Sequence, residues 1–193
     1  MNIGIFSGSF NPVHIGHVIL ANYIVEFTDI DEVWFIVSPH NPLKLQNELS
    51  DENIRLEMVD IALRSYTKLR ASDFEFSLPR PSYTIDTLKA LNKAYPQHDF
   101  TLIIGADNWN IFENWKESNS ILDNYKLKVY PRLGSRISIP NKLKNRVEAL
   151  DSPIVEISST FIRESLSGDK DVRAFLPEGV YDYIIENKLY RQK

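Results

Sequence analysis

Short apolar runs alternate with stretches of helical periodicity along the whole of this chain, and few folds accommodate that alternation. Residues 2–6 are an apolar run closing on Ser7-Gly8-Ser9, the pattern of a buried strand followed by a turn. From His14 to Phe27, the apolar residues Ile15, Val18, Ile19, Ala21, Ile24 and Phe27 then fall at helical intervals. The pattern repeats. It predicts strands over 33–37, near 69–71, and over 100–104, 127–130 and 154–157, with helices over 84–95, 159–167 and 178–187. Ser50 is the expected cap of a further helix carrying Ile54, Met58, Ile61, Ala62 and Leu63. Residues 38–49 and 131–146 read as loops on their prolines and Gly134. Strands alternating with helices imply an α/β fold, doubly wound, with a mainly parallel sheet and helices on both faces. No repeat or linker divides the chain, so 1–193 is expected to form one domain.

Bulk composition narrows the function classes. Hydrophobic residues make up 43% and charged residues 25%, the balance of a folded protein with a sizeable core. The formal net charge of −4 argues against a general nucleic-acid binder, so any phosphate site must be local. With no cysteine, disulfides, thiolate metal sites and a cysteine nucleophile are excluded, and a reducing compartment is expected. No run approaches the roughly 18 to 20 apolar residues that span a bilayer. Residues 1–6 lead straight into a folded pattern rather than an export signal, so a cytoplasmic protein with no membrane partner is the expectation. Oligomeric state is not legible.

The loop Gly8-Ser9-Phe10-Asn11-Pro12-Val13-His14-Ile15-Gly16-His17 joins the first strand to the first helix. Ligands of open α/β sheets bind beyond the carboxyl ends of the strands, which puts this loop at a site. Gly8 permits close backbone approach. His14 and His17, three apart, share one side of the first helical turn, and Gly16 leaves room against the helix. A helix N-terminus adds unpaired N–H groups and partial positive charge, which suit an anion. A capping histidine or a zinc pair are the other readings of these residues, but no third zinc ligand stands at a recognisable spacing.

A second segment, Ile157-Ser158-Ser159-Thr160-Phe161-Ile162-Arg163, reads as a strand end passing into a helix. The three hydroxyl residues are good caps. Arg163, one turn in, adds a guanidinium that can reach back to an anion at the helix start.

The first of these segments resembles the His-x-Gly-His signature of the nucleotidyltransferase superfamily, and the second resembles its Ile-Ser-Ser-Thr-x-Ile-Arg motif. The resemblance implies a Rossmann-like domain in which both segments hold the phosphates of ATP. It assigns catalysis to His14, His17, Arg163 and Lys44, and ATP binding to Gly8, Ser9, Phe10, Asn11, Ser158, Ser159 and Thr160. Asn11 stands where many members carry Asp. The stretch Ser82-Tyr83-Thr84-Ile85-Asp86-Thr87-Leu88, the stretch Ile103-Ile104-Gly105-Ala106-Asp107, and Phe112 with Trp115 resemble the nicotinate mononucleotide adenylyltransferase family. So does the tail from Phe175-Leu176-Pro177 to Leu189-Tyr190. That likeness implies that Thr84 and the backbone at Lys116 receive the nicotinate carboxylate, that Trp115 stacks on the pyridine ring, and that Asp107 meets ribose hydroxyls. Core packing for Trp115 and helix capping for Thr84 and Asp107 are the alternatives for each residue taken singly. Asn41-Pro42-Leu43-Lys44 departs from the family's Pro-Pro-His-Lys, with Leu43 at the histidine position and His40 nearby.

The reaction so implied joins ATP and nicotinate mononucleotide to give nicotinate adenine dinucleotide and pyrophosphate, with Mg²⁺ held mainly by ATP oxygens. A phosphate nucleophile has a second pKa of about 6 and needs no general base. Alignment and charge neutralisation are therefore the expected sources of catalysis. Other members of the superfamily, such as phosphopantetheine adenylyltransferase or a cytidylyltransferase, and a catalytically silent nucleotide sensor are the rival readings. A class I aminoacyl-tRNA synthetase is disfavoured because no Lys-Met-Ser-Lys-Ser is present.

Overall fold

The computed structural model describes residues 1–39 and 49–191. Among them, the strands β1 (Asn2–Gly8), β2 (Glu32–Val37), β3 (Leu69–Ser72), β4 (Asp99–Gly105), β5 (Lys126–Tyr130) and β6 (Val147–Ala149) form one six-stranded sheet. Its order is β3-β2-β1-β4-β5-β6, and each pairing is parallel. The chain winds outward from β1 to β3, then begins again beside β1 with β4, pairing Ile3 with Phe100 and Ile5 with Leu102. The switch between β1 and β4 opens a crevice at their carboxyl ends, where such sheets bind ligands.

The helices are α1 (Ile15–Phe27), α2 (Glu52–Leu63), α3 (Thr84–Ala94), α4 (Ala106–Trp109), α5 (Ser118–Asn124), α6 (Ser159–Ser167) and α7 (Val180–Glu186). Period-two alternation along the strands sends side chains to two separate cores. Phe6, Val33, Phe35 and Ile103 pack under α1, α2, α6 and α7, while Ile3, Ile5, Trp34, Ile36 and Leu102 pack under α3 and α5. Strands buried on both faces explain their near-continuous apolar runs. Ile3, Ile5, Phe35 and Ile36 are wholly buried, each contributing about 1.5–3 kcal/mol through that burial. Among the described residues, no helix is long and apolar enough to cross a membrane.

Two local expectations need correction, and one helix was not expected. Residues 154–157 are not a strand: 151–158 have no regular secondary structure, and the sixth strand lies earlier, at Val147–Ala149. The apolar side chains of that later segment serve as cavity lining instead of sheet, and Ile154 is half exposed. Ser50 does not cap α2. Asp51 does, its carboxylate accepting from the Asn53 N–H at 2.8 Å, while the Ser50 carbonyl accepts from Arg55 Nε. The helix before β5, α5, went unread because Ile121 is its only buried residue.

Candidate active site

Two cavities meet at the carboxyl edge of the sheet. The larger, of about 510 Å³, lies between the start of α1, the residues after β5 and segment 153–158. The smaller, of about 260 Å³, lies between the ends of β1, β2 and β4 and the start of α3, with Trp115 on its far side. Phe6 and Tyr130 line both, so these two rings form the shared wall.

His14 and His17 face the larger cavity. Their rings stack at 3.6 Å, as the three-residue spacing on one helical turn requires. The His14 backbone N–H donates to His17 Nδ1 at 3.1 Å, which leaves the proton of neutral His17 on Nε2. His14 is only 5% exposed, and its Nδ1 is buried without a hydrogen-bond partner among the described residues. Burial, reinforced by the nearby Arg132 cation, lowers the His14 pKa to about 4. The room left by Gly16 is already used: a Cβ there would lie 3.1 Å from the His14 ring and 3.3 Å from Val155. The space beside Gly8 is likewise filled, by the Phe10 ring. That ring is buried against Phe6, His17 and Phe35, so the Phe10 side chain anchors the loop and offers nothing to a ligand.

The start of α6 closes over the same loop. Ser158 Oγ caps the helix by accepting from the Phe161 N–H at 3.1 Å, and Ser158 lines the larger cavity. Ser159 Oγ donates to the Pro12 carbonyl at 2.9 Å. Arg163 donates to the Asn11 carbonyl at 2.9 Å and lies 3.4 Å from Thr160 Oγ1. Asn11 is buried, and its Oδ1 accepts from the Ser50 N–H and from Tyr190 Oη at 2.8 Å. Burial pushes the Tyr190 pKa up to about 12, which keeps its hydroxyl a donor. The structure thus joins the two predicted segments directly, by main-chain acceptors of one and side-chain donors of the other. Ser9, Phe10, Asn11, Ser159, Thr160 and Arg163 stand behind the cavity linings in this arrangement.

The smaller cavity gathers Thr84, Trp115 and Lys116. Thr84 is the first residue of α3, and Tyr83 occupies the cap position, so capping does not account for the threonine. Trp115 packs on Phe112 at 5.2 Å, and its Nε1 is buried without a partner among the described residues. The Lys116 ammonium turns outward to Asp86 at 2.8 Å and lies over the Tyr83 ring, leaving its backbone for the cavity. Asp107 lines the larger cavity rather than this one, 3.8 Å from Arg132 Nε. Lys44, together with His40 and Leu43, falls outside the described residues.

Four charged residues at the site, Arg132, Glu156, Arg55 and Glu75, escaped the sequence reading. Arg132 lines the larger cavity, with its guanidinium 5.3 Å above the Tyr130 ring and Nη2 3.2 Å from Tyr130 Oη. It stands just past the carboxyl end of β5, a position that the strand-end rule for ligands singles out. Arg55 is buried behind the cavity linings and Glu75, also buried, lines the smaller cavity; the placement of both depends on tertiary packing that no local pattern announces. Among the described residues, no three His, Cys, Asp or Glu side chains are grouped to hold a metal ion. Asp107 and Glu156 are carboxylates lining the larger cavity.

Comparison with known proteins places these features in a family. The cytidylyltransferase-like family model matches residues 5–165. The chain is 55% identical over 183 residues to the probable nicotinate-nucleotide adenylyltransferase of Bacteroides fragilis, covering 95% of this chain and 90% of that one. It is 45% identical over 193 residues to the probable nicotinate-nucleotide adenylyltransferase of Flavobacterium johnsoniae, covering 100% of both. Among solved structures, the Plasmodium falciparum nicotinic acid mononucleotide adenylyltransferase complexed with NaAD superposes with a TM-score of 0.82 at 22% identity. That match covers 98% of this chain and 97% of the other, and supports the fold.

Proposed function

The chain belongs to the cytidylyltransferase-like family, and from that premise we infer that it is a nicotinate-nucleotide adenylyltransferase. It transfers the adenylyl group of ATP to nicotinate mononucleotide, releasing pyrophosphate and forming nicotinate adenine dinucleotide. The observation that carries this reading is the pair of cavities sharing Phe6 and Tyr130 at the sheet's switch point. One is lined by histidines and a helix start suited to a nucleotide triphosphate. The other is lined by an aromatic ring and hydroxyls suited to a flat acid.

In this reading ATP occupies the larger cavity. The N–H groups at the starts of α1 and α6 face its phosphates, joined by His14, His17, Arg132 and, outside the described residues, Lys44. Arg163 and Ser159 hold the loop to α6, so the guanidinium adds positive charge behind the phosphate site and fixes the loop that lines it. Mg²⁺ would be held mainly by ATP oxygens, and Asp107 and Glu156 are the cavity carboxylates that would offer it hard oxygen ligands, directly or through water. Held there, the ion would supply positive charge to offset that of the departing pyrophosphate. The acceptor ring lies on Trp115, and its carboxylate meets the Thr84 hydroxyl and the backbone at Lys116 through charge-assisted hydrogen bonds. The acceptor phosphate, ionised at neutral pH, attacks the α-phosphorus in line, and no protein base takes a proton.

Pyrophosphate release with ATP and one acceptor at a time tests the assignment. Nicotinate mononucleotide should turn over fastest, nicotinamide mononucleotide more slowly and phosphopantetheine not at all. Equal rates for acid and amide would remove the carboxylate contacts from the reading, and turnover of phosphopantetheine alone would replace it.

A further inference from the structure

Arg55 and Glu75 are charged side chains buried to 1% and 3% exposure, and the chemistry above uses neither. Among the described residues, neither forms an ion pair. Burying a charge without a counter-charge is costly unless hydrogen bonds replace the lost water. Here they do, and the partners chosen are informative. Arg55 Nη1 donates to the Ser9 carbonyl at 2.6 Å and to the Ser38 carbonyl at 2.8 Å. Glu75 accepts from Ser38 Oγ at 2.8 Å, Ser82 Oγ at 3.0 Å and Thr87 Oγ1 at 2.9 Å.

Ser38, just past the end of β2, is thus gripped from both sides, by a cation on its carbonyl and an anion on its hydroxyl. On the Arg55 side lies the loop after β1, whose Gly8 carbonyl also accepts from the Ser38 N–H at 2.9 Å. On the Glu75 side lies the start of α3, where Ser82 and Thr87 bracket Thr84. Ser38 and Glu75 themselves line the smaller cavity. Charge-assisted hydrogen bonds are the short, strong, directional ones, so the chain is stiff.

We propose that Arg55, Ser38 and Glu75 form a positioning brace that fixes the acceptor pocket at α3 against the phosphate loop after β1. Its task is to hold the acceptor phosphate in line with the α-phosphorus. This rests on the adenylyltransferase reading. In-line transfer has little covalent chemistry for side chains to perform, and a misplacement of about 1 Å can cost about 100-fold in rate. Loosening the brace therefore lowers turnover more than it weakens ATP binding.

Steady-state pyrophosphate release by the full chain, with each substrate varied, tests the brace. Ser38→Ala removes one hydroxyl, and Glu75→Gln removes the charge at nearly constant shape. Each should lower kcat by about tenfold or more while moving the KM for ATP less than about twofold. Ser38→Thr, which keeps the hydroxyl, should recover most of the loss. The double variant should be little worse than the poorer single one, because both cut the same link. A Ser38→Ala kcat within about twofold of wild type, additive losses, or a Ser38→Thr as impaired as Ser38→Ala would overturn the proposal. So would a loss that disappears once rates are divided by the folded fraction from thermal melts. If Glu75→Gln does not fold, the Ser38 pair decides alone. A wild type silent with nicotinate mononucleotide overturns the functional reading and the brace with it. An active wild type with unaffected variants overturns the brace only.

Discussion

At neutral pH a histidine with a pKa of about 4 carries no charge, so on the proposed function His14 would meet the ATP phosphates as a neutral hydrogen-bond donor. The expectation of charge neutralisation is thereby divided. Arg132 and Lys44 are permanent cations, whereas His14 becomes one only if bound phosphates offset its desolvation. The same burial affects stability. Between pH 6.5 and about 4 the unfolded chain holds a proton on His14 that the folded protein does not. Stability from this residue is therefore complete above pH 6.5 and falls as the pH drops toward 4, by an amount on the order of 3 kcal/mol. Denaturant melts across that range should show a flatter pH dependence for His14→Asn than for wild type. NMR titration of the ring should give a midpoint near 4 in the free protein and a higher one in Arg132→Ala. A midpoint at the ordinary 6.5 would mean that the ring is solvated.

Among the elements, α6 separates structural from chemical roles most cleanly. Ser158→Ala removes the N-cap and a hydroxyl that lines the larger cavity, so it should destabilise by about 1 kcal/mol, a fall in Tm of about 2–4 °C, and raise the KM for ATP while lowering kcat far less than loss of Arg163 does. Arg163→Ala removes the tether to Asn11 and, on the proposed function, positive charge behind the ATP phosphates, and should lower kcat about 100-fold or more with the fold intact. Thermal melts beside kinetics check both, and a Ser158→Ala variant as slow as Arg163→Ala would merge the two roles. The legibility of elements in the sequence follows the same division between local and tertiary causes. β4 was plain because Phe100 to Ile104 is a continuous buried run, and α6 because its caps and Ile162-Leu166 spacing are local. β6 was not, since of its three residues only Val147 is buried, and the more apolar Ile154-Val155 nearby mimics a strand. The histidines were found from a glycine turn at a strand–helix junction. Glu75 and Arg55 were not, because Ser9, Ser38 and Ser82 converge on them only after the sheet has formed.

For the molecule as a whole, the order β3-β2-β1-β4-β5-β6 explains how a chain of net charge −4 can hold two phosphorylated substrates. Attraction is confined to one crevice, where the loops after β1, β4 and β5 converge, and the two cavities touch only through Phe6 and Tyr130. Substrate effects should therefore separate by cavity. Trp115→Ala should raise the KM for nicotinate mononucleotide and leave that for ATP nearly unchanged, since the indole lines only the smaller space. Tyr130→Phe should do the reverse. It keeps the ring as wall but loses the hydroxyl beside Arg132 Nη2, a bond to a charged group worth about 1.5–3 kcal/mol, which predicts a KM for ATP raised about tenfold. Tyr130→Ala removes the wall itself, so both KM values should rise and stability fall by about 3–5 kcal/mol. Two-substrate kinetics on the three variants decide the matter. If Tyr130→Phe raises both KM values equally, the hydroxyl is not confined to the ATP side, and the two cavities act as one site.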